Sequence, residues 1–341
     1  MTAPGTGAAD GAPGRPEGIL NLLKPPGMTS HDVVAFVRRL LGERRIGHGG
    51  TLDPGAAGVL PLCVGRSTRL TDMLQAMPKV YRVEMTLGVS TDTHDQYGET
   101  TDVVSNFALS LTDVAEALDA FTGRYEQVPP MTSALRHRGV RLYALARQGV
   151  DVPRAARPVT IYRIRIVRAL PADTDTLTFG SRIYFDVACS SGTYVRTLCH
   201  DVGQRLGCGA HMSFLIRTRV GPFAIDDALT LEDLSSLVSE RRAAEAFLSP
   251  TAALVHLPAV YLPPEEARRF RFGQPVPWSG PVEAGRKSAF GEIGSVPEQK
   301  PGETIVRVHG SPSRLLGLGR MADADGQRWI RPYKVLQPPQ E

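Results

Sequence analysis

The period of apolar and polar positions changes several times along the chain, and each change marks an element. Residues 1–17 are small, polar and rich in Gly and Pro with no periodicity, which predicts a disordered tail. The apolar run from Gly18 to Leu23 predicts a short strand. After a Pro-Gly turn, Val33, Val34, Val37, Leu40 and Leu41 recur on one helical face that opens at Ser30 and stops at Gly42. Val59 to Gly65 is a continuous apolar run, the pattern of a buried strand. Tyr81, Val83, Met85 and Leu87 alternate with Arg82, Glu84 and Thr86, predicting a half-buried strand of period two.

Further on, a helix is predicted from near Ser110, with Asp113 completing a capping box and Val114, Leu118 and Phe121 facing inward. Tyr162, Ile164 and Ile166 mark one strand, and Ile183, Phe185, Val187 and Cys189 another. Val195, Leu198, Val202 and Leu206 mark a helix, and Met212, Phe214, Ile216 and Val220 a further strand. Strands and helices interleave without the regular repeat of a doubly wound fold. Alternation, rather than solid apolar runs, favours a mixed, largely antiparallel sheet flanked by helices, an α+β class. After a helix capped by Thr230 and Asp233, a second module is expected from about Pro250. Its strands are predicted at Ile305–Val308, Leu315–Met321 and Trp329–Val335, with an Asp325-Gly326 turn joining the last two, and residues 279–303 read as an exposed insertion.

Composition adds bounds. A chain of 341 residues with 42% hydrophobic content has room for two domains and a real core. There is no run of about eighteen apolar residues, and the N-terminus lacks the basic-then-apolar order of a signal peptide, so a cytoplasmic protein outside the membrane is expected. Four cysteines without a secretory signal predict reduced thiols. Cys189, Cys199, His200, Cys208 and His211 lie close in sequence but form no C-x2-C or H-x3-H pair, and no P-loop or dinucleotide fingerprint is present. No metal and no cofactor are therefore expected.

The net charge of +4, from 39 basic and 35 acidic residues, is too small to argue for nucleic acid on its own. Its distribution says more. Arg124 to Arg168 contains ten Arg, no Lys and two acids, Glu126 and Asp151, so this window carries +8 and the remainder −4. Arg offers forked donors suited to phosphate, so a polyanionic partner is favoured over a solvated Arg-rich face.

The stretch from Gly47 to Leu60 stands out chemically. Glycines at 47, 49, 50, 55 and 58 permit positive φ or close approach, and Pro54 pushes Asp53 toward an extended conformation. Such a loop presents a carboxylate, with an Asp-Pro turn or a helix cap as the plainer alternative.

His48 to Gly65, in the pattern GH-x-GTLDP-x-A-x-GVLP-x-C-x-G, resembles the signature of the bacterial TruB family of tRNA pseudouridine synthases. Further blocks recur in family order: Lys24-Pro25-Pro26-Gly27-Met28-Thr29-Ser30, Lys79-Val80-Tyr81, Leu87-Gly88 with Thr91-Asp92-Thr93-His94-Asp95, Gln127-Val128-Pro129-Pro130 and Cys189-Ser190-Ser191-Gly192-Thr193-Tyr194-Val195-Arg196-Thr197. The resemblance implies a pseudouridine synthase fold over residues 18–249 and a PUA-like RNA-binding domain over 250–341. It implies isomerisation of a uridine in the T loop of tRNA, position 55, by base flipping, with the tRNA T arm as partner. A monomer with no obligatory protein partner is the corresponding expectation.

By the same resemblance Asp53 is the reacting carboxylate, Arg196 the cation that keeps it ionised, and Tyr81 the ring that stacks on the flipped uracil and assists proton removal. His48 enters the RNA where the nucleotide has left, Lys24 gives support or a phosphate contact, and Asp95 contacts RNA or caps its loop. Arg138, Arg141 and Arg147 belong to a thumb-like segment, residues 124–157, that grips the backbone. Gly49, Ala57 and Arg136-His137-Arg138 depart from the family's usual residues. Three rival readings are a metal-dependent hydrolase, an RNA chaperone or inactive paralogue, and a guide-RNA-dependent relative that works in a multi-protein particle.

Overall fold

The computed structural model describes residues 16–133, 135–172, 176–286, 302–312, 314–324 and 326–337. Most of the expected disordered tail, the part of the expected insertion from 287 to 301, and Asp325 of the predicted turn lie outside the described residues. By its contacts the chain divides into two compact units, Met1–Met77 with Arg219–Glu341, and Pro78–Thr218.

In the first unit, strand β1 (Gly18–Lys24) is buried along almost its whole length and pairs antiparallel with β3 (Ala57–Val64); β2 (Ile46–His48) pairs on the same strand. Helix α1 (Ser30–Leu41) starts from a capping box in which Thr29 and Asp32 satisfy each other's backbone donors. It ends at Gly42, whose φ of 64° is the left-handed cap that favours glycine. Its predicted face, Val33, Val34 and Val37, packs with Leu20, Leu22, Leu60 and Leu62.

The second unit is built on a five-stranded run. In spatial order it consists of β8 (Ala210–Val220, through Thr218), β4 (Lys79–Leu87), β7 (Arg182–Cys189), β6 (Arg157–Leu170) and β5 (Gly123–Gln127). The pairs β4–β7, β7–β6 and β6–β5 are antiparallel. Helices α2 (Leu111–Asp119) and α3 (Val195–Leu206) accompany it. Val83, Met85, Leu87, Ile183, Phe185 and Val187 are buried as their alternation predicts.

The alternation misleads at three places, each for a local reason. Phe121 lies past the end of α2, is only half-buried, and meets Tyr125 edge-on rather than the core. Strand β6 is longer than predicted, and a register shift between Ile161 and Arg163 leaves Val159 and Ile161 as its buried residues while Tyr162, Ile164 and Ile166 are half-buried. In β8 the burial phase changes, so Leu215 and Arg217 are buried and Phe214 and Ile216 are not. An Arg in a strand is expected to face water, and Arg217 does the opposite.

The chain then returns to the first unit. Helix α4 (Leu231–Ser239) has the predicted Thr230–Asp233 capping box. Strands β9 (Ala259–Tyr261), β10 (Val276–Pro277), β11 (Thr304–Ser311), β12 (Arg314–Ala324) and β13 (Gln327–Val335) form one sheet in the order β9-β11-β12-β13-β10, with α5 (Pro264–Arg271) against it. The β9–β11 pair is parallel and the other pairs of this sheet are antiparallel, so the predicted α+β class with a β-rich C-terminal part is what the chain forms. Ile305, Leu315, Leu318 and Leu336 share a core with Ile19, Val59, Cys63 and Leu254, so this sheet is packed into the unit rather than tethered to it. The described start of the expected insertion is exposed but paired, with Glu283 bridging to Ala259.

One glycine sets the spacing of α3 and β8: a Cβ on Gly203 would stand 2.2 Å from the backbone nitrogen of Ala210. Helix propensity alone would favour Ala there by about 1 kcal/mol. Overpacking against backbone costs roughly 1–3 kcal/mol and should win. Gly203→Ala is therefore expected to lower the urea midpoint of unfolding; a raised midpoint would show that the helix can move away freely.

Candidate active site

Asp53 is half-buried on the loop between β2 and β3, and its neighbours on both sides are pinned. Ser30 Oγ accepts from the Leu52 amide (2.9 Å) and donates to the Leu52 carbonyl (3.3 Å). The Pro54 carbonyl accepts from the Gly27 amide (2.8 Å) and from Lys24 Nζ (3.1 Å). Lys24 is 1% exposed, and its ammonium also donates to the carbonyls of Pro25 (2.9 Å) and Met28 (2.6 Å). Three carbonyls thus gather around the Lys24 ammonium and tie it to the Asp53 loop. Among the five loop glycines, Gly50 and Gly58 have φ of 131° and 111°. Gly47 is there for close approach, because a Cβ would fall 2.8 Å from Thr71 Oγ1. His48 ends β2, half-buried, with Nδ1 accepting from the Gly50 amide at 3.3 Å.

In the second unit, Tyr81 lies on the buried face of β4, opposite Val187 of β7, and its hydroxyl accepts a hydrogen bond from Arg217. Arg217 is 1% exposed, and burial pulls its pKa down against the opposing pull of Tyr81. Lys79 shares that face. Burial first, and the Arg217 charge second, lower its pKa from an ordinary 10.5 to about 7. Cys189, opposite Lys79, is pushed up to about 12 by burial, so it stays a thiol. All four cysteines are buried and none is in a disulfide.

Arg196 sits in the first turn of α3 at 5% exposure. Its Nη1 pairs with Asp95 Oδ2 at 3.3 Å, and its Nη2 donates to the Thr132 carbonyl at 3.1 Å. Asp95 is also buried, and its Oδ1 accepts from Thr93 Oγ1 (2.7 Å) and the Tyr97 amide (3.0 Å). The structure thus joins two residues expected to act separately. Gln127 makes a two-way bridge to the same helix start: its Nε2 donates to the Tyr194 carbonyl (3.0 Å) and its Oε1 accepts from the Tyr194 amide (2.8 Å). Tyr194 is the N-cap residue and gives no side-chain cap of its own, so Gln127 anchors that end.

The basic window divides in two. Arg136–His137 and Val140–Arg141 form a hairpin whose tip, Arg138-Gly139, has φ of 48° and 87°, the pattern of a type I′ turn. Arg138, Arg141 and Arg147 are exposed, and the last two lie over the Tyr143 ring, 5.9 and 5.6 Å from its centroid. Arg163, Arg165 and Arg168 belong instead to the exposed face of β6, where Arg165 pairs with Asp186.

Sequence reasoning gave no role to Ser30, Gln127 or Arg217. The first two stand in recognised blocks, and the third could have been signalled only by an Arg interrupting an apolar strand.

Three family models match in succession: the N-terminal domain of TruB family pseudouridylate synthase over residues 38–195, the C-terminal domain of tRNA pseudouridylate synthase B over 196–267, and the TruB C-terminal domain of pseudouridine synthase II over 258–336. The tRNA pseudouridine synthase B of Heliobacterium modesticaldum is 54% identical over 72% of this chain and 76% of its own length. That of Moorella thermoacetica is 44% identical over 94% of this chain and 99% of its own. Among solved structures, a Cbf5-Nop10-Gar1 complex contains a chain that aligns with a TM-score of 0.69 at 28% identity, over 94% of this chain and 85% of that one.

The buried Lys79 has a pH signature. Its folded pKa is about 7 and its ordinary value 10.5, so between those values the unfolded chain binds the extra proton and stability rises with pH. Below pH 7 both states are protonated and the full burial penalty is present. From pH 7 to 10 the wild type should gain stability relative to Lys79→Met, read as urea midpoints of both proteins at each pH. Parallel curves would show that the ammonium keeps its ordinary affinity for protons.

Proposed function

The chain belongs to the TruB family of pseudouridine synthases, and from that premise we propose that it isomerises uridine to pseudouridine in tRNA, at position 55 of the T loop. The bond between ribose C1′ and uracil N1 breaks, the base turns, and C1′ joins uracil C5. The C5 proton leaves and N1 gains one. No group is added and no electron is transferred, so the proposal includes no cofactor.

The observation that carries the reading is the pinned loop of Asp53. A carboxylate that must meet one carbon of a flipped nucleotide needs a fixed backbone, and Leu52 and Pro54 are held by Ser30, Gly27 and Lys24. In this reading Arg196 serves the reaction as the cationic partner of the carboxylate, and Asp95, paired with it at 3.3 Å, sets the guanidinium's orientation. Tyr81 offers a ring to the uracil and, through its hydroxyl, a route for the C5 proton. His48 fills the space the nucleotide vacates. Arg138, Arg141 and Arg147 hold phosphates, and the C-terminal sheet contributes RNA contacts as a PUA-like module.

Relatives at 44% and 54% identity bear the name tRNA pseudouridine synthase B, whereas the chain from the three-protein complex is 28% identical. This balance favours a stand-alone monomer acting on the tRNA T arm over a member of a guided particle. Among the described residues no helix is long and apolar enough to cross a membrane, and the proposed location is the cytoplasm.

Asp53→Asn keeps size and removes charge. We expect it to fold, to bind tRNA within a few-fold of wild type, and to release no tritium from tRNA labelled at uracil C5. Turnover by folded Asp53→Asn would return Asp53 to a turn-forming role. Arg196→Ala should slow catalysis on the order of 100-fold or more. Replacing Arg138, Arg141 and Arg147 together by Ala should flatten the slope of log affinity against log salt, by roughly 0.7 to 0.9 for each phosphate that is no longer neutralised. An unchanged slope would assign those arginines to a solvated surface.

A further inference from the structure

Arg196 and His200 stand four residues apart on α3 and therefore share a face. The turn opposing that face carries His94 and Asp95 side by side. Asp95 takes Arg196, and His94 takes His200: the two imidazoles stack with centroids 4.0 Å apart and planes 7° from parallel. Thr197 Oγ1 lies 3.3 Å from His94 Nδ1, within hydrogen-bond reach. His94 has φ of 64°, a left-handed conformation that a residue with a side chain rarely adopts. Its amide donates to the Thr91 carbonyl (3.1 Å) and its carbonyl accepts from the Met212 amide (3.0 Å), so the unusual backbone is held from both sides. Strain of this kind persists where the surroundings over-determine it.

The stack is suited to neutral rings. Charged groups facing His94 are Arg196 and Arg154, with the Asp95 carboxylate next in sequence. Burial first, then His200, Arg196 and Arg154, lower the His94 pKa to about 3, and burial lowers that of His200. His200 Nδ1 is buried without a hydrogen-bond partner among the described residues, so this atom is not what the ring is there for. Rings stacked face to face do not aim their nitrogens at a common point, and among the described residues no group of three or more His, Cys, Asp or Glu could hold a metal.

We infer that the His94–His200 stack is a positioning device for Arg196, an uncharged aromatic rung that seats the Asp95 turn on α3 and holds the guanidinium in one orientation. The inference rests on the reading of Arg196 as part of the machinery for uridine isomerisation. Three linked contacts then act together: stack, Thr197 bond and ion pair.

The test compares wild type, His200→Ala and His200→Phe, measuring single-turnover pseudouridine formation and tRNA affinity on the same preparations. Wild-type activity comes first, because a folded wild type that forms no pseudouridine defeats the functional reading whatever the variants do. With an active wild type, His200→Ala should lose rate on the order of tenfold or more while binding tRNA normally, as a small misplacement of a reacting constellation predicts. His200→Phe keeps a flat ring, somewhat larger and without nitrogens, and should recover most of that rate. In His200→Ala the His94 ring loses cover, so its proton titration by NMR should move up toward the ordinary 6.5. Should His200→Ala fail to fold, His200→Leu fills the space without a flat ring and takes its place. Full rate in the Ala or Leu variant would overturn the inference, and so would equal loss in the Phe variant.

Discussion

The structure depends first on a carboxylate loop that cannot move independently of the segment before it. Ser30 holds both backbone groups of Leu52, and Gly27 with Lys24 holds the carbonyl of Pro54. Asp53 is the one residue between these two anchors. A loop with five glycines would otherwise sample many conformations, and its flexible residues lose the most entropy on ordering. Burying the Lys24 ammonium is costly unless it is fully hydrogen-bonded, and three carbonyls meet that condition. The Lys-Pro-Pro-Gly-Met-Thr-Ser block and the Asp53 block therefore form one physical device, although 22 residues separate Ser30 from Leu52. The β1–β3 ladder brings them together, since Lys24 pairs with Gly58 in its register.

The second unit solves a related problem with buried charge. Arg196 and Asp95 form an almost fully buried pair, and Arg217 bonds Tyr81 in an equally dry place. Burying ions seldom adds stability, because the lost hydration is about as large as the attraction recovered, whereas removing one partner costs on the order of 3–5 kcal/mol. Such groups are better understood as fixing orientation. Arg suits the task, since its planar fork reaches Asp95 and Thr132 at once while a Lys would present a single point charge.

Much of this was legible in the sequence, and what was not has physical causes. Periodicity located the strands and helices, and the caps at Ser110 and Thr230 marked helix starts, while the Thr29–Asp32 box emerged only in the structure. Periodicity failed at the bulge after Ile161 and at the phase change in β8, because an extra residue or a buried polar bond resets alternation without altering composition. The burial of Lys24 and Asp95 was not legible, since nothing local reveals that a distant carbonyl or guanidinium will enclose them. The stacked histidines were invisible for the same reason: residues 94 and 200 are neighbours only once the turn and the helix have met. The family blocks did carry much of this information in coded form, as Gln127 shows, whose amide spans to Tyr194 and ties two blocks together.

The arginines show how one residue type divides by environment. Arg196 and Arg217 are buried, hydrogen-bonded and held to one geometry, which fits groups that must be in place before any substrate arrives. Arg138, Arg141 and Arg147 are exposed on a short hairpin and helix, two of them resting on Tyr143. Exposed side chains of this kind keep rotamer freedom and bind a polyanion largely through charge and counterion release, which requires density rather than exact placement. Arg165 and Arg82 form a third class, since both pair with Asp186 across the open face of the sheet and part of their charge is already balanced. The +8 of the window from Arg124 to Arg168 thus overstates what the hairpin can offer an RNA, because Arg163, Arg165 and Arg168 belong to a strand with a different role. Charge counted along a chain becomes charge available to a partner only after the fold has decided which side chains are spent on one another.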